Sequence, residues 1–131
     1  DTSEAGIAIA PQPPRFSGRV WVVGGPDNSS ATFEFAQAVQ LRKLGMLVGE
    51  PTGGNQRGIN GGAFLFMTLP GSGIELDVPL IAQFPATPMP DAGLLPDLPA
   101  RETAATLAAG RDVALEAILA RIDRDRSTNG R

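Results

Sequence analysis

Two hydrophobic periods divide the chain. Residues 18–25, "GRVWVVGG", carry a short apolar run, Val20 to Val23, closed by a Gly-Gly-Pro turn signal. That run predicts a buried strand. Thr32, Phe35, Ala36 and Val39 then recur at i, i+3, i+4 and i+7. This spacing predicts an amphipathic helix from about residue 30 to residue 44. Arg42 and Lys43 fall in its last turn, where the helix dipole favours cations, and Gly45 is the expected terminating residue. "MLVGE", residues 46–50, predicts a second strand. Strand, helix and strand in such close succession form a βαβ unit, so the two strands are expected to be parallel.

A period of two appears further on. Residues 62–69 and 74–80 predict a hairpin around a turn at 70–73. In its second strand Ile74, Leu76, Val78 and Leu80 alternate with Glu75 and Asp77, as in a half-buried strand. In its first strand Phe64, Leu65, Phe66 and Met67 are apolar on both faces. That strand is either fully covered or lies at an interface, with a second copy of the chain as a candidate partner. A proline-rich crossing segment occupies residues 85–100. Thr103 is expected to cap a short helix ended by Gly110. Residues 111–124 predict a packing helix with Leu115, Ile118, Leu119 and Ile122 on one stripe. Residues 1–17 read as an extended segment and 125–131 as a frayed polar tail, leaving 18–124 as the folded body. The fold class is α/β, with a βαβ unit, a β-hairpin and a C-terminal helix.

Composition narrows the chemistry. The chain has 131 residues, 42% of them hydrophobic, enough for one domain with a core. Its net charge of -3 argues against a nucleic-acid-binding surface. No apolar run approaches the roughly 20 residues of a membrane-spanning helix. The opening "DTSEAGIAIAPQPPRF" lacks the basic and apolar regions of a signal peptide. Cysteine is absent, which removes disulfides, thiol catalysis and cysteine metal sites. Histidine is absent too, so no imidazole of this chain can act as a base or bind a metal. Glu50, Glu75 and Asp77 are scattered and read as solvated or capping groups. No metal or cofactor is expected.

Two places remain where chemistry can reside. The first is "GPDNSSAT", where Ser29 and Ser30 stand between a turn and a helix. Serine there is a common helix cap. It is also good geometry for a nucleophile, with the Ala31 amide and the positive end of the helix dipole available to an oxyanion. The second is the glycine-rich loop "PTGGNQRGINGG", residues 51–62. It matches no phosphate-binding motif. The wall of a peptide groove and a plain structural loop are its other readings.

The order of these features resembles the tail-specific (C-terminal processing) serine peptidases. The resemblance rests on "FSGRVWVVGGPDNSSATFEFAQAVQ", "MLVGEPTGGN", "LPGSGIELDVPL" and the closing "PDLPARETAATLAAGRDVALEAIL", and spans residues 16–122. It implies a crotonase-like fold of ββα units. It implies Ser30 as the nucleophile and the Ala31 amide as an oxyanion donor. Gly53, Gly54 and Asn55 would flank a protein or peptide substrate bound as an added strand. In the main branch of the family a lysine base follows the second strand in a T-x-G-K motif. Asn55 stands at that position here and cannot take the serine's proton. The chain therefore looks closer to the branch of the tricorn protease and the interphotoreceptor retinoid-binding protein, in which an upstream histidine is the expected base. The resemblance further implies that these residues are the C-terminal half of a catalytic domain, inactive alone and completed by an upstream half of the same protein. Family habit adds a periplasmic or extracytoplasmic location. The retinoid-binding relative supplies an alternative, a non-catalytic module that holds an apolar ligand or a peptide.

Overall fold

A computed structural model describes residue 10 and residues 12–129. Its elements run β1 (Trp21–Gly24), α1 (Ser30–Leu41), β2 (Met46–Gly49), β3 (Ile59–Thr68), β4 (Glu75–Gln83), β5 (Leu98–Pro99), α2 (Ala104–Ala108) and α3 (Val113–Asn129). The chain is mixed α/β. β1, β2 and β5 form a parallel sheet in that order, and β3 and β4 form a separate antiparallel ribbon.

The central strand explains the layering. Successive side chains of a strand point to opposite faces. Leu47 and Val48 are neighbours on β2, both fully buried, and they enter different cores. Leu47 packs with Phe33 and Ala36 of α1, with Leu94, and with half-buried Val22 and Ile59. Val48 packs with Ala114 and Ile118 of α3 and with Trp21, Leu98, Ala100 and Ile122. The two helices therefore cover opposite faces of the sheet. The expected parallel βαβ unit is present, with Trp21 to Gly24 paired in register with Met46 to Gly49.

Several expectations are corrected. β1 is an edge strand, so it is half-buried rather than buried, and Val23 is 58% exposed. The buried stripe of α1 is Phe33, Ala36 and Val39, while Thr32 and Phe35 face outward. Phenylalanines at 33 and 35 sit on nearly opposite faces of a helix, and Gly54 decides between them. A Cβ on Gly54 would lie 2.9 Å from the Phe33 ring, so its absence makes room for that ring. On α3, Ala114 and Ile118 are buried, whereas Leu115 and Leu119 remain half exposed. That helix starts two residues later than expected because Asp112 caps it, its carboxylate accepting from the Leu115 amide at 2.8 Å. It also continues to Asn129, so residues 125–129 are helical and not a frayed tail, while residues 130–131 lie outside the described residues. Asp125 helps to hold this last stretch through ion pairs with Arg121 and Arg19. Of the extended N-terminal segment, residues 1–9 and 11 lie outside the described residues. Thr103 caps α2 as expected, accepting from the Thr106 amide at 3.1 Å.

The hairpin is longer than its sequence signal. β3 starts at Ile59, and a register shift falls between Gly61 and Phe64. The strand that was apolar on both faces lies open: Phe66 is 72% exposed and Leu65 51%. The second strand is not half-buried as expected either, since Ile74, Leu76, Val78 and Leu80 are all exposed and no element covers them among the described residues. β5 was not anticipated. It arises inside the proline-rich segment, where Pro99, lacking an amide hydrogen, is tolerated on the sheet's outer edge.

α1 ends at Leu41, earlier than expected, and Gly45 does not end it. The Leu44 amide donates to the Val39 carbonyl at 3.0 Å and the Lys43 amide to that of Gln40 at 3.1 Å, with Lys43 left-handed at φ 54°. This is a Schellman closure with lysine in the place that favours glycine. Gly45 serves another need: a Cβ there would lie 2.7 Å from the Val20 carbonyl oxygen, where the chain turns into β2. Lys43→Gly is expected to raise stability by about 0.5–1 kcal/mol by removing the left-handed Cβ clash. A urea titration with an unchanged slope and a higher midpoint would register it; a lower midpoint would refute the closure.

Candidate active site

The site is assembled where β1 ends. Residues 25–28 form a tight turn in which the Asn28 amide donates to the Gly25 carbonyl at 2.9 Å. The Asn28 side chain closes the other side, its Oδ1 accepting from the Gly25 amide at 2.8 Å. The glycine-rich loop presses against this turn. The Gly53 amide donates to the Gly25 carbonyl at 3.3 Å, and a Cβ on Gly53 would lie 2.2 Å from the Pro26 carbonyl oxygen. The loop is held from behind by Thr52, which is 6% exposed. Its amide donates to the Leu94 carbonyl at 3.0 Å and its hydroxyl accepts from the Leu94 amide at 2.9 Å.

Ser29 and Ser30 follow the turn. Ser29 has extended backbone at the N-cap position, yet its side chain makes no capping hydrogen bond. Ser30 opens α1 with φ 53°, in the left-handed region. It is exposed, and its hydroxyl makes no hydrogen bond among the described residues. A non-glycine residue held there costs on the order of 1–3 kcal/mol, a strain that clusters at functional sites. Neither serine therefore caps the helix. Ala31 is exposed as well, and its amide, in the first helical turn, has no acceptor within the helix.

The three loop residues expected to flank a substrate lie along the first turns of α1. Gly53 touches the turn, and Gly54, at φ 69°, lies over Phe33. Asn55 shares a groove with Phe33, Glu34 and Gln37. Both ends of its side chain are engaged: the amide nitrogen donates to the Asp91 carboxylate, and Oδ1 accepts from the Arg57 amide at 2.8 Å. Arg57 also reaches Asp91, at 2.7 Å. Neither nearby cation is placed to act as a base toward Ser30. Lys43 lies beyond the far end of a 12-residue helix, about 18 Å along its axis. Arg57 is paired, and a guanidinium stays protonated.

Sequence reasoning missed two features. One is the Asn55–Arg57–Asp91 cluster, in which Asp91 lies 36 and 34 residues from Asn55 and Arg57, across the hairpin. The other is an open groove of about 630 Å³ at the C-terminal ends of β1 and β2, lined by Asn28, Glu50, Glu102, Arg111 and Asp112. Parallel sheets commonly bind ligands at this edge. The groove borders the 25–28 turn and does not include Ser30. Among the described residues no set of His, Cys, Asp or Glu side chains converges to hold a metal. No helix of the described residues is long and apolar enough to cross a membrane. The chain matches no protein-family model, and no curated protein aligns with it significantly.

The Asp91 carboxyl is held below its ordinary range, first by the hydrogen bond from Asn55, then by the bond and charge of Arg57. A depressed carboxyl stabilises the fold above the ordinary carboxylate pKa and loses that contribution as pH falls through the folded value. The cluster is therefore expected to be intact at neutral pH and to open in acid. NMR titration of the Asp91 carboxyl carbon measures this. Asn55→Ala should move its midpoint upward, and an unmoved midpoint would dismiss Asn55 as the main cause.

Proposed function

We propose that this chain is the C-terminal part of a serine peptidase catalytic domain with a crotonase-like fold, related to the tail-specific peptidases. Ser30 attacks the scissile carbonyl, and its Oγ forms the acyl bond as the amine leaves. The Ala31 amide donates to the oxyanion at the positive end of α1. Water then releases the acyl group. The proton acceptor comes from outside these residues, and the sequence resemblance makes it a histidine of the upstream half. One observation carries this proposal: Ser30 is exposed, has no hydrogen-bond partner among the described residues, and is held left-handed directly after a braced strand-to-helix turn. That is the local geometry of a nucleophile on a sharp, strained elbow. The bare apolar faces of β3–β4 are assigned to that same upstream half, since an isolated two-stranded ribbon is marginal in water.

Treatment of the full-length protein with a fluorophosphonate probe tests the assignment. Labelling should occur at Ser30, vanish in Ser30→Ala and survive in Ser29→Ala. Peptide hydrolysis should fall by more than about a thousandfold in Ser30→Ala. Labelling that persists without Ser30 would remove it from the mechanism.

The second reading, a binding module for an apolar ligand or peptide, is favoured by the same exposed ribbon, on which Phe64, Leu65, Phe66 and Met67 are 43–72% exposed. It predicts an unlabelled Ser30 together with saturable binding of a fluorescent fatty acid that Phe66→Ser weakens. Labelling at Ser30 without such binding would set it aside.

A further inference from the structure

A groove of about 180 Å³ lies between the first turns of α1, the 55–59 stretch and the end of β4. This is below the roughly 300–1,000 Å³ of a small-molecule pocket and suits a single side chain. Its lining is apolar at Phe33 and Ile59, which are buried or half-buried, and at Phe84 and Pro85, which are exposed. Its polar lining falls into two sets. Asn55 is committed to Asp91 and the Arg57 amide, and Gln56 donates to the Gly93 carbonyl at 3.0 Å. Glu34, Gln37 and Gln83 have no hydrogen bond or ion pair among the described residues. Glu34 is the only charged residue on the lining. It follows Ser30 by four positions, one helical turn, and so shares its side of α1.

Resting on Ser30 as nucleophile, we propose that this groove is a side-chain subsite for lysine or arginine beside the scissile bond, with Glu34 as the selective group. An aliphatic stem lies along Phe33, Ile59 and Phe84 while its cationic tip meets the Glu34 carboxylate, as long basic side chains do at the border of apolar surface and water. A glutamine, shorter and uncharged, gains part of the apolar contact without the charge. An acidic residue is repelled.

The test uses the full-length protein carrying Ser30→Ala, so that peptides are not consumed. Labelled peptides identical except for one residue (Lys, Arg, Gln, Leu or Glu) are titrated by fluorescence anisotropy. The basic peptides should bind about three- to fivefold more tightly than the Gln peptide, the scale of one solvent-accessible ion pair. Glu34→Gln should abolish that preference and leave the Leu peptide unchanged. Glu34→Lys should transfer the preference to the Glu peptide. Equal affinity for Lys and Gln peptides, a preference that survives Glu34→Gln, or no binding at all overturns the subsite. Hydrolysis by the unsubstituted enzyme, run in parallel, separates the two claims. Cleavage without a basic preference sinks the subsite and leaves the peptidase standing. A Glu34-dependent basic preference without cleavage does the reverse.

Discussion

Close approach of backbone to backbone at the ends of β1 and β2 governs this structure. A Cβ on Gly49 would lie 2.2 Å from the Gly24 carbonyl oxygen, and one on Gly53 at the same distance from that of Pro26. Real Cβ atoms do not approach carbonyl oxygens so closely, so any side chain at either place would drive the turn and the loop apart. A third contact follows, since a Cβ on Gly93 would lie 1.9 Å from the Thr52 carbonyl oxygen. Three chain segments far apart in sequence are thus stacked without intervening side chains: the 25–28 turn, the 49–54 loop and the crossing segment near 93. The position of Ser30 depends on that stack, because the first of these segments leads directly into it.

The stack gains its rigidity from the sheet behind it. Burying a large aliphatic side chain contributes about 1.5–3 kcal/mol. Leu47 and Val48 both reach full burial on one strand by serving two cores. Their contribution is larger than the strain of one left-handed serine, which is why such a residue can persist at the sheet's end. The ribbon is supported differently. It carries a row of exposed apolar residues on each face and touches the rest of the molecule mainly at its base, through Ile59. Monomeric proteins rarely leave so many neighbouring apolar side chains exposed. The same chain therefore combines a braced site with an uncovered flank.

Much of the architecture was legible in the sequence because it is written locally. The strand-helix-strand order of β1, α1 and β2, the Thr103 cap and the turn at 70–73 each depend on residues only a few positions apart. What was not legible depends on contacts between distant segments. Gly54 chooses Phe33 over Phe35 as the core residue of α1, and nothing within the helix records that choice. Lys43 takes the left-handed position although Gly45 is nearby, because Gly45 is needed against Val20. β5 is two residues long and holds a proline, so it has no strand signature, and only its pairing with Val48 and Gly49 defines it. The place of Ser30 at the head of α1 was readable from the strand-turn-serine-helix order. The partners of Asn55 were not, since Asp91 enters from beyond the hairpin.

Asn55 shows how the loop and the chemistry are linked. Asparagine brings a donor and an acceptor, and both are spent within the loops. The residue ties the glycine-rich loop to the segment after the hairpin and thereby steadies the wall beside α1. The hydroxyl of Ser30 has no hydrogen-bond partner among the described residues and stands beside the free amides of the first turn of α1. Under the proposed function, this part of the fold would present the nucleophile and the oxyanion donors, and another part would present the base. Among the described residues β1 has a neighbour on one side only, and Val23 is exposed, so that edge is where such a second part would pack.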